Sequence, residues 1–402
     1  MTRRILIVGA GFAGLWSALG AARVLDGSSR ADGSIEVAMI APAPELHLRP
    51  RLHEAAPGGM RAPLRELFEA TGIRFVQGRV ERIDADAHTV DAVDRDGRRF
   101  SLGYDRLVLA AGSELHRPDI PGLHARAFSI DQVDDASALE RHLADLANLP
   151  DGPARNTVIV VGGGFTGIEI ACELPSRLRA VLGDAAIKVI LIERADAIGP
   201  DLGAGPRPVI EEALDSLGIL RRTNTAVAAI DSHGVRTSTD ECIEARTVIW
   251  TAGLKANALT QQIAAPRDPL GRLQVEQDLR VAAVENVFAT GDVAFAAVDD
   301  AGHHALMSCQ HAMTMGRFAG YNVAADLLGL PTIPYSQPRY VTCLDLGGWG
   351  AVYTEGWARQ VKLSGAQAKA LKRTINTQWI YPPPPDRAQA LALADPNRGV
   401  VA

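Results

Sequence analysis

The chain has 402 residues, is 47% hydrophobic and 22% charged, and carries a formal net charge of −6. This is the profile of an ordinary globular chain with room for two or three domains. The lack of a like-charge block argues against a nucleic-acid or polybasic membrane partner, and no run of 18 apolar residues offers a membrane span. The opening "MTRRIL" leads into a strand too soon to be a secretory signal, so a cytoplasmic protein is expected. Cys172, Cys242, Cys309 and Cys343 form no Cys-x-x-Cys pair and no Cys/His cluster, so free thiols and no metal site are expected.

In chain order, the apolar run Ile5–Val8 predicts a buried strand. Gly9, Gly11 and Gly14 follow at the G-x-G-x-x-G spacing, with Phe12 and Ala13 inside the turn. The spacing has a physical cause. The first glycine permits the tight turn, the second lets backbone approach a pyrophosphate, and the third lets the next helix pack on the strand. Phosphate then rests on a helix N-terminus, where free N–H groups favour negative charge. Leu15, Ala18, Leu19 and Ala22 continue an apolar helical face.

The next strand, "IEVAMIAPAPE", puts Ala41 where a ribose-binding acid is expected. Glu45 is then either a substitute or a solvated loop acid. "ELHLRPRLHEAA" contributes His47 and His53, and "YDRLVLAAGS" predicts a strand tipped by Ala111 and Gly112, where backbone can pass close to a ligand.

The unit then repeats. Thr157–Val161 predicts a strand, Gly162, Gly164 and Gly167 repeat the spacing, and Glu169 falls in the first turn of the following helix. An acid there suits the helix N-terminus. "IKVILIER" ends its strand on Glu193, which can accept from a ribose 2′-hydroxyl and repel a 2′-phosphate; NADH is therefore favoured over NADPH. "RTVIWTAGL" is a second strand with an Ala-Gly tip, at Gly253. "VENVFATGDVA" places Gly291 and Asp292 after another strand. Residues 305–329 predict a helix with small residues at Ala312, Gly316, Ala319 and Ala324. "YVTCLDLGGWGAVYTEGW" alternates around a Gly-Gly turn and predicts a hairpin, before a short basic helix and the stiff run 382–385.

This order of motifs resembles the two-dinucleotide-binding-domain flavoproteins of the pyridine nucleotide–disulfide oxidoreductase superfamily over residues 3–325. "GGGFTGIEIACEL" and "TVIWTAGLKAN" look most like its type II NADH dehydrogenase group. The resemblance implies an α/β fold of two Rossmann-like domains, one inserted in the other, plus a small C-terminal α+β domain. The FAD-binding domain would be residues 1–120 and 262–325, the NADH-binding domain 121–261, and the C-terminal domain 326–402. FAD would lie on Gly9, Gly11, Phe12, Ala13 and Gly14, with Val80, Ala111, Gly112, Gly291, Asp292 and Gln310 around it. NADH would lie on Gly162, Gly164, Gly167, Glu193 and Gly253. Glu169 and Gln310 would stand beside the reacting rings.

The same resemblance implies electron transfer from NADH through FAD to a quinone or another small acceptor. It also implies a homodimer contact, and docking at the inner face of a membrane through a helix bearing Lys369, Lys372 and Arg373 before Trp379 and Tyr381. The chain departs from the group at Thr314 and Met315, where quinone-reducing members carry two glutamines; a buried Met there would be core packing. Two alternatives stay open: a sulfide:quinone oxidoreductase-like enzyme using Cys343 and Cys172, and a slow regulatory or biosynthetic flavoprotein.

Overall fold

The computed structural model describes residues 2–29 and 33–398. Each glycine motif lies where a strand gives way to a helix within its own parallel sheet. Across the first sheet the order is Val287–Ala289, Arg106–Leu109, Arg3–Val8, Ile35–Ala41 and Arg74–Gln77, with every neighbouring pair parallel. Across the second it is Leu220–Arg222, Lys188–Ile192, Thr157–Val161 and Thr247–Trp250, again all parallel. In both, the strand before the glycine turn has the next strand of the chain on one side and the fourth on the other. This is a topological switch point, where a crevice opens beyond the carboxyl ends of the strands. Ile5–Val8 and Val158–Val161 are buried throughout, as strands of a sheet covered on both faces must be.

The repetition runs further than the glycine motifs. Between its third and fourth sheet strands each unit inserts a three-stranded antiparallel meander. In the first it is Arg79–Asp84, Thr89–Val93 and Arg99–Gly103; in the second, Val227–Ile230, Gly234–Thr237 and Cys242–Glu244. Two connections between the units lie side by side as a ribbon, Ser113–Leu115 antiparallel to Leu254–Ala256. Each ribbon strand directly follows an Ala-Gly tip, so the ligand-facing ends of both sheets converge on one junction.

The helix Phe12–Gly27 crosses the helix Cys309–Leu327 almost backbone to backbone. A Cβ on Gly316 would stand 2.5 Å from the Ala13 carbonyl oxygen, and one on Gly320 would stand 2.2 Å from that of Ser17. The small residues of 305–329 thus mark a helix crossing, and Met315 is fully buried core. The crossing brings the amino end of the later helix, Cys309 and Gln310, beside the Gly291–Val293 turn.

Beyond it the hairpin forms as its pattern predicts: Val341–Asp345 pairs with Ala351–Glu355 around Gly347–Trp349. Gln360–Ser364 adds a third strand; its exposed, polar residues gave no alternation to read. The helix Gly365–Thr374 runs on through a π-type turn, Ile375–Trp379. A last helix, Arg387–Leu393, returns to the first glycine helix, tied by Arg387 to Asp26 and Arg23 to Asp395, both at 2.7 Å. No helix among the described residues is long and apolar enough to cross a membrane.

Candidate functional site

The two glycine turns are superposable in their logic. Gly9 and Gly162 have φ of +109° and +108°, left-handed values that L side chains rarely adopt. A Cβ on Gly9 would stand 2.4 Å from the Ala110 carbonyl oxygen, and one on Gly162 would stand 2.9 Å from Ala252 Cα. Each first glycine therefore packs against the Ala-Gly tip of its own unit. A Cβ on Gly14 would lie 1.9 Å from the Gly9 carbonyl oxygen, and one on Gly167 would lie 1.8 Å from that of Gly162. The middle glycines differ: a Cβ on Gly11 or Gly164 would meet nothing within 4 Å. Both cradles thus leave open space where a pyrophosphate must pass, each at the start of a long helix, Phe12–Gly27 or Phe165–Leu182. The residues present fit two dinucleotides.

Beyond the second cradle, Glu193 is fixed by two backbone amides: Gly163 N–H donates to Oε2 and Ala195 N–H to Oε1, both at 2.7 Å. Its carboxylate is locked at the strand end, with lone pairs left for ribose hydroxyls. Arg194 beside it is exposed. The first unit has no counterpart: Ala41 is buried at the strand end, and Glu45 is engaged by Arg61 at 3.3 Å. Val80 lies half-buried two residues beyond Gly78, whose N–H donates to the Ala41 carbonyl at 3.0 Å. His47 lies on the short strand Glu45–His47, 3.3 Å from an Arg61 nitrogen.

Asp292 accepts from Ser113 Oγ at 2.6 Å and lies 3.9 Å from Arg49. Burial raises its pKa, against the pull of Arg49 and Ser113. Arg49 also donates to the Ser113 carbonyl at 3.2 Å and pairs with Asp131. One guanidinium thus joins the Asp292 turn, the ribbon and the approach to the helix Val133–Asp145.

Glu169 is 5% exposed and stands in a buried charged cluster. Lys372 Nζ donates to its Oε1 at 2.8 Å and to the Cys343 carbonyl at 3.0 Å. The Asp345 amide also donates to Oε1, at 3.1 Å, and His53 Nδ1 lies 3.4 Å from Oε2. Lys369 pairs with Asp345, and lies 3.4 Å from Glu173. Burial pushes the Asp345 carboxyl up, but His53 and Lys369 outweigh it and hold it at about 2. Burial likewise lowers Lys372, and Glu169 more than restores it, so the ammonium is held charged. Lys369 and Lys372, which as a bare sequence belong to a basic helix suited to a membrane face, turn inward. Lys372 shares a helical face with Ala368, which is fully buried. His53, a candidate from its sequence segment, is joined in the site by Asp345, Ser113 and Arg49, which motif spacing did not single out.

Gln310 and Thr314, one turn apart, open onto a cavity of about 670 Å³ that Phe318, Tyr321, Val341 and Pro396 also line. Its wall is chiefly apolar. Thr314 therefore faces the cavity while Met315 faces the core. All four thiols are free. Cys343 packs with Ala368 in the C-terminal core. Cys172 lies in the main core, beneath Gly347, whose Cβ would stand 3.3 Å from Cys172 Cβ. Burial raises both thiols, Cys343 to about 11, so neither is poised as a thiolate.

Comparison with known proteins agrees with this geometry. The pattern of the family described as pyridine nucleotide-disulphide oxidoreductase matches residues 3–316. An NADH dehydrogenase-like protein of Mycobacterium tuberculosis is 47% identical over 98% of both chains. The demethylphylloquinone reductase of Synechocystis is 30% identical, over 92% of this chain and 91% of its own. Among solved structures, that of NDH2 from Plasmodium falciparum in complex with NADH superposes with a TM-score of 0.78, at 16% identity and 98% coverage of both chains.

Proposed function

The chain belongs to the pyridine nucleotide-disulphide oxidoreductase family, and on that footing we propose that it is an FAD-dependent NADH dehydrogenase of the type II kind, passing electrons from NADH to a quinone. The observation that carries the reading is the pair of glycine cradles whose strand tips run into one ribbon, Ser113–Leu115 against Leu254–Ala256. Such a junction serves to bring the ends of two dinucleotides together.

FAD, when bound, supplies the hydride acceptor and the store of two electrons. The chain supplies grip and orientation. Gly9, Gly11, Phe12, Ala13 and Gly14 would hold its pyrophosphate, with Val80 also on the FAD side. Ala111, Gly112 and Gly291 would allow close backbone approach, Asp292 would accept from a polyol hydroxyl, and Gln310 would border the ring. Gly162, Gly164 and Gly167 hold the pyrophosphate of NADH, Gly253 lets its nicotinamide end pass, and Glu193 accepts from the ribose 2′-hydroxyl. The fixed carboxylate of Glu193 would meet a 2′-phosphate charge to charge, so NADPH is the poorer donor. Glu169 would border the contact between the reacting rings, where orientation and exclusion of water do most of the work. In this reading the FAD unit comprises residues 1–120 and 262–325, the NADH unit 121–261, and residues 326–402 form the acceptor side. A lipid-soluble quinone is met at a membrane surface, so peripheral association at the inner face of a membrane and pairing into a homodimer belong to the same proposal.

The test is an anaerobic titration of the purified protein. A yellow protein that bleaches with one equivalent of NADH and regains colour with menadione bears the reading out. A protein that is colourless and takes up no added flavin overturns it. Flotation with anionic vesicles and sedimentation test the membrane and dimer parts.

A further inference from the structure

The cavity that Gln310 and Thr314 open onto has an apolar body and a cationic rim. Its volume of about 670 Å³ is that of a small-molecule site. Where the resemblance sets two glutamines, this chain has Met315, buried in the core, and Thr314, whose hydroxyl donates to the Gln310 carbonyl at 3.2 Å. The inner wall therefore offers few polar groups to grip a ring by its oxygens. The rim is different: Arg23, Arg339 and Arg398 line it against a single acid, Asp395.

Asp395 does not balance the three. Its carboxylate is taken up by Arg23 at 2.7 Å and by the Asn397 amide at 2.9 Å. Arg339 and Arg398 are exposed, and neither side chain has a hydrogen bond or ion pair with another described residue. The place of Arg398 follows from the sequence. Asp395-Pro396-Asn397-Arg398 has a turn-forming order, and the turn closes with the Arg398 N–H donating to the Asp395 carbonyl at 3.1 Å. Arg317 ties the turn down. It is 4% exposed, its guanidinium lies 4.2 Å from the centre of the Trp16 ring, and its Nη1 donates to the Arg398 carbonyl at 3.1 Å. Its Nε has no partner among the described residues. The acid that acts on it, Asp395, is already held by Arg23. Burial lowers the Arg317 pKa to about 10, so the group is still charged at neutrality. An uncompensated charge in such a place is costly, and an anion nearby offsets that cost.

We propose that this cavity selects an acceptor whose ring carries an anionic substituent, with the ring against the apolar wall at Phe318 and Val341 and the anion on Arg339 and Arg398. This rests on the reading of the protein as an NADH:quinone enzyme with Gln310 beside the flavin ring. The ring chemistry is unchanged: NADH + H⁺ + quinone gives NAD⁺ + quinol, and the substituent gains and loses no bond. A planar guanidinium meets a carboxylate or sulfonate with two parallel hydrogen bonds, which fixes orientation as well as charge. Arg339 and Arg398 are thus specificity-determining residues, and the anion anchors a ring that the wall alone holds weakly.

The experiment uses the flavin-loaded enzyme with 1,4-naphthoquinone-2-sulfonate as the charged acceptor and menadione as the uncharged one. The variants are Arg339→Gln/Arg398→Gln and, as a control, Arg95→Gln, an exposed arginine that is no part of the cavity wall. The ratio of kcat/KM for the sulfonated quinone to that for menadione should fall by about tenfold or more in the double variant, as expected for loss of hydrogen bonds to a charged group, and should stay at the parent value in Arg95→Gln. A second readout needs no turnover: by calorimetry, naphthalene-2-sulfonate should bind the parent about tenfold more tightly than it binds the double variant. Equal affinity for the two, or an equal loss in Arg95→Gln, overturns the proposal. So does a double variant that no longer floats with anionic vesicles yet keeps its affinity for naphthalene-2-sulfonate, because the rim would then face a lipid surface. Both side chains are exposed, so the double variant should fold as the parent does. Failure of the underlying reading is recognised separately: the parent would not be bleached by NADH or reoxidised by menadione, and calorimetry alone would decide the anion site.

Discussion

Glu169 and Lys372, 203 positions apart in the chain, meet as a buried ion pair at 2.8 Å. Removing one partner strands the other's charge in the interior, which typically costs about 3–5 kcal/mol. Lys372→Met should therefore lower the denaturation midpoint of the flavin-loaded enzyme markedly. The double variant Glu169→Gln/Lys372→Met should recover most of the loss, because no charge is left unpaired. A single variant as stable as the parent would show that the pair is solvated.

The glycine cradles predict a contrast. Gly9→Ala puts a Cβ 2.4 Å from the Ala110 carbonyl oxygen at a left-handed φ, so it should destabilise the fold itself. Gly11→Leu places its side chain in open space and should leave the apoprotein's melting temperature nearly unchanged, while the purified protein loses its yellow colour. Gly164→Leu should keep the flavin and lose NADH. Absorbance spectra and calorimetry of the three variants separate these outcomes.

Glu193→Gln removes the negative charge from a carboxylate that two backbone amides hold in place. A hydrogen bond to a charged group is worth about 1.5–3 kcal/mol. NADH should accordingly bind at least tenfold more weakly, and the disadvantage of NADPH should shrink. Anaerobic titration with each nucleotide measures both. An unchanged preference would move the ribose site elsewhere.

Acid should weaken the fold in two stages. Burial, with Arg272 nearby, holds His311 neutral with a pKa near 4, below its unfolded value of 6.5. The stability it contributes is full above about pH 6.5 and is lost as pH falls toward 4, by about 3 kcal/mol. Asp345, held at about 2, contributes above its ordinary value of 3.8 and loses that contribution as pH falls through about 2. Denaturation midpoints measured from pH 8 to 3 should show the upper stage, and His311→Leu should remove it. A limb that survives His311→Leu belongs to another group.

The two cradles, Glu193, the Ala-Gly tips and Asp292 were legible in the sequence because backbone geometry demands particular residue types at fixed local spacings. The cluster around Glu169 was not. His53, Glu169, Asp345 and Lys372 come from four segments, and nothing local to any of them says that they meet. Lys369 and Lys372 even pointed the other way, since a cation's surroundings are set by what packs on its helix. The paired meanders escaped for a simpler reason. Their strands are only three to six residues long, too short for a period to stand clear of the flanking loops. At the first ribose position the usual rule failed outright: Ala41 stands where an acid belongs, and the strand end shows no substitute at that place.

The ribbon has a consequence for how such a protein changes over time. Because Ser113 pairs with Ala256 and Leu115 with Leu254, the chain leaves and re-enters the outer unit at one doorway. Residues 116–253 form a cassette whose ends are already neighbours. Exchanging that cassette for one with a different taste in nucleotides would have to keep both the doorway and the contacts that Glu169 makes with Lys372, Asp345 and His53 outside it.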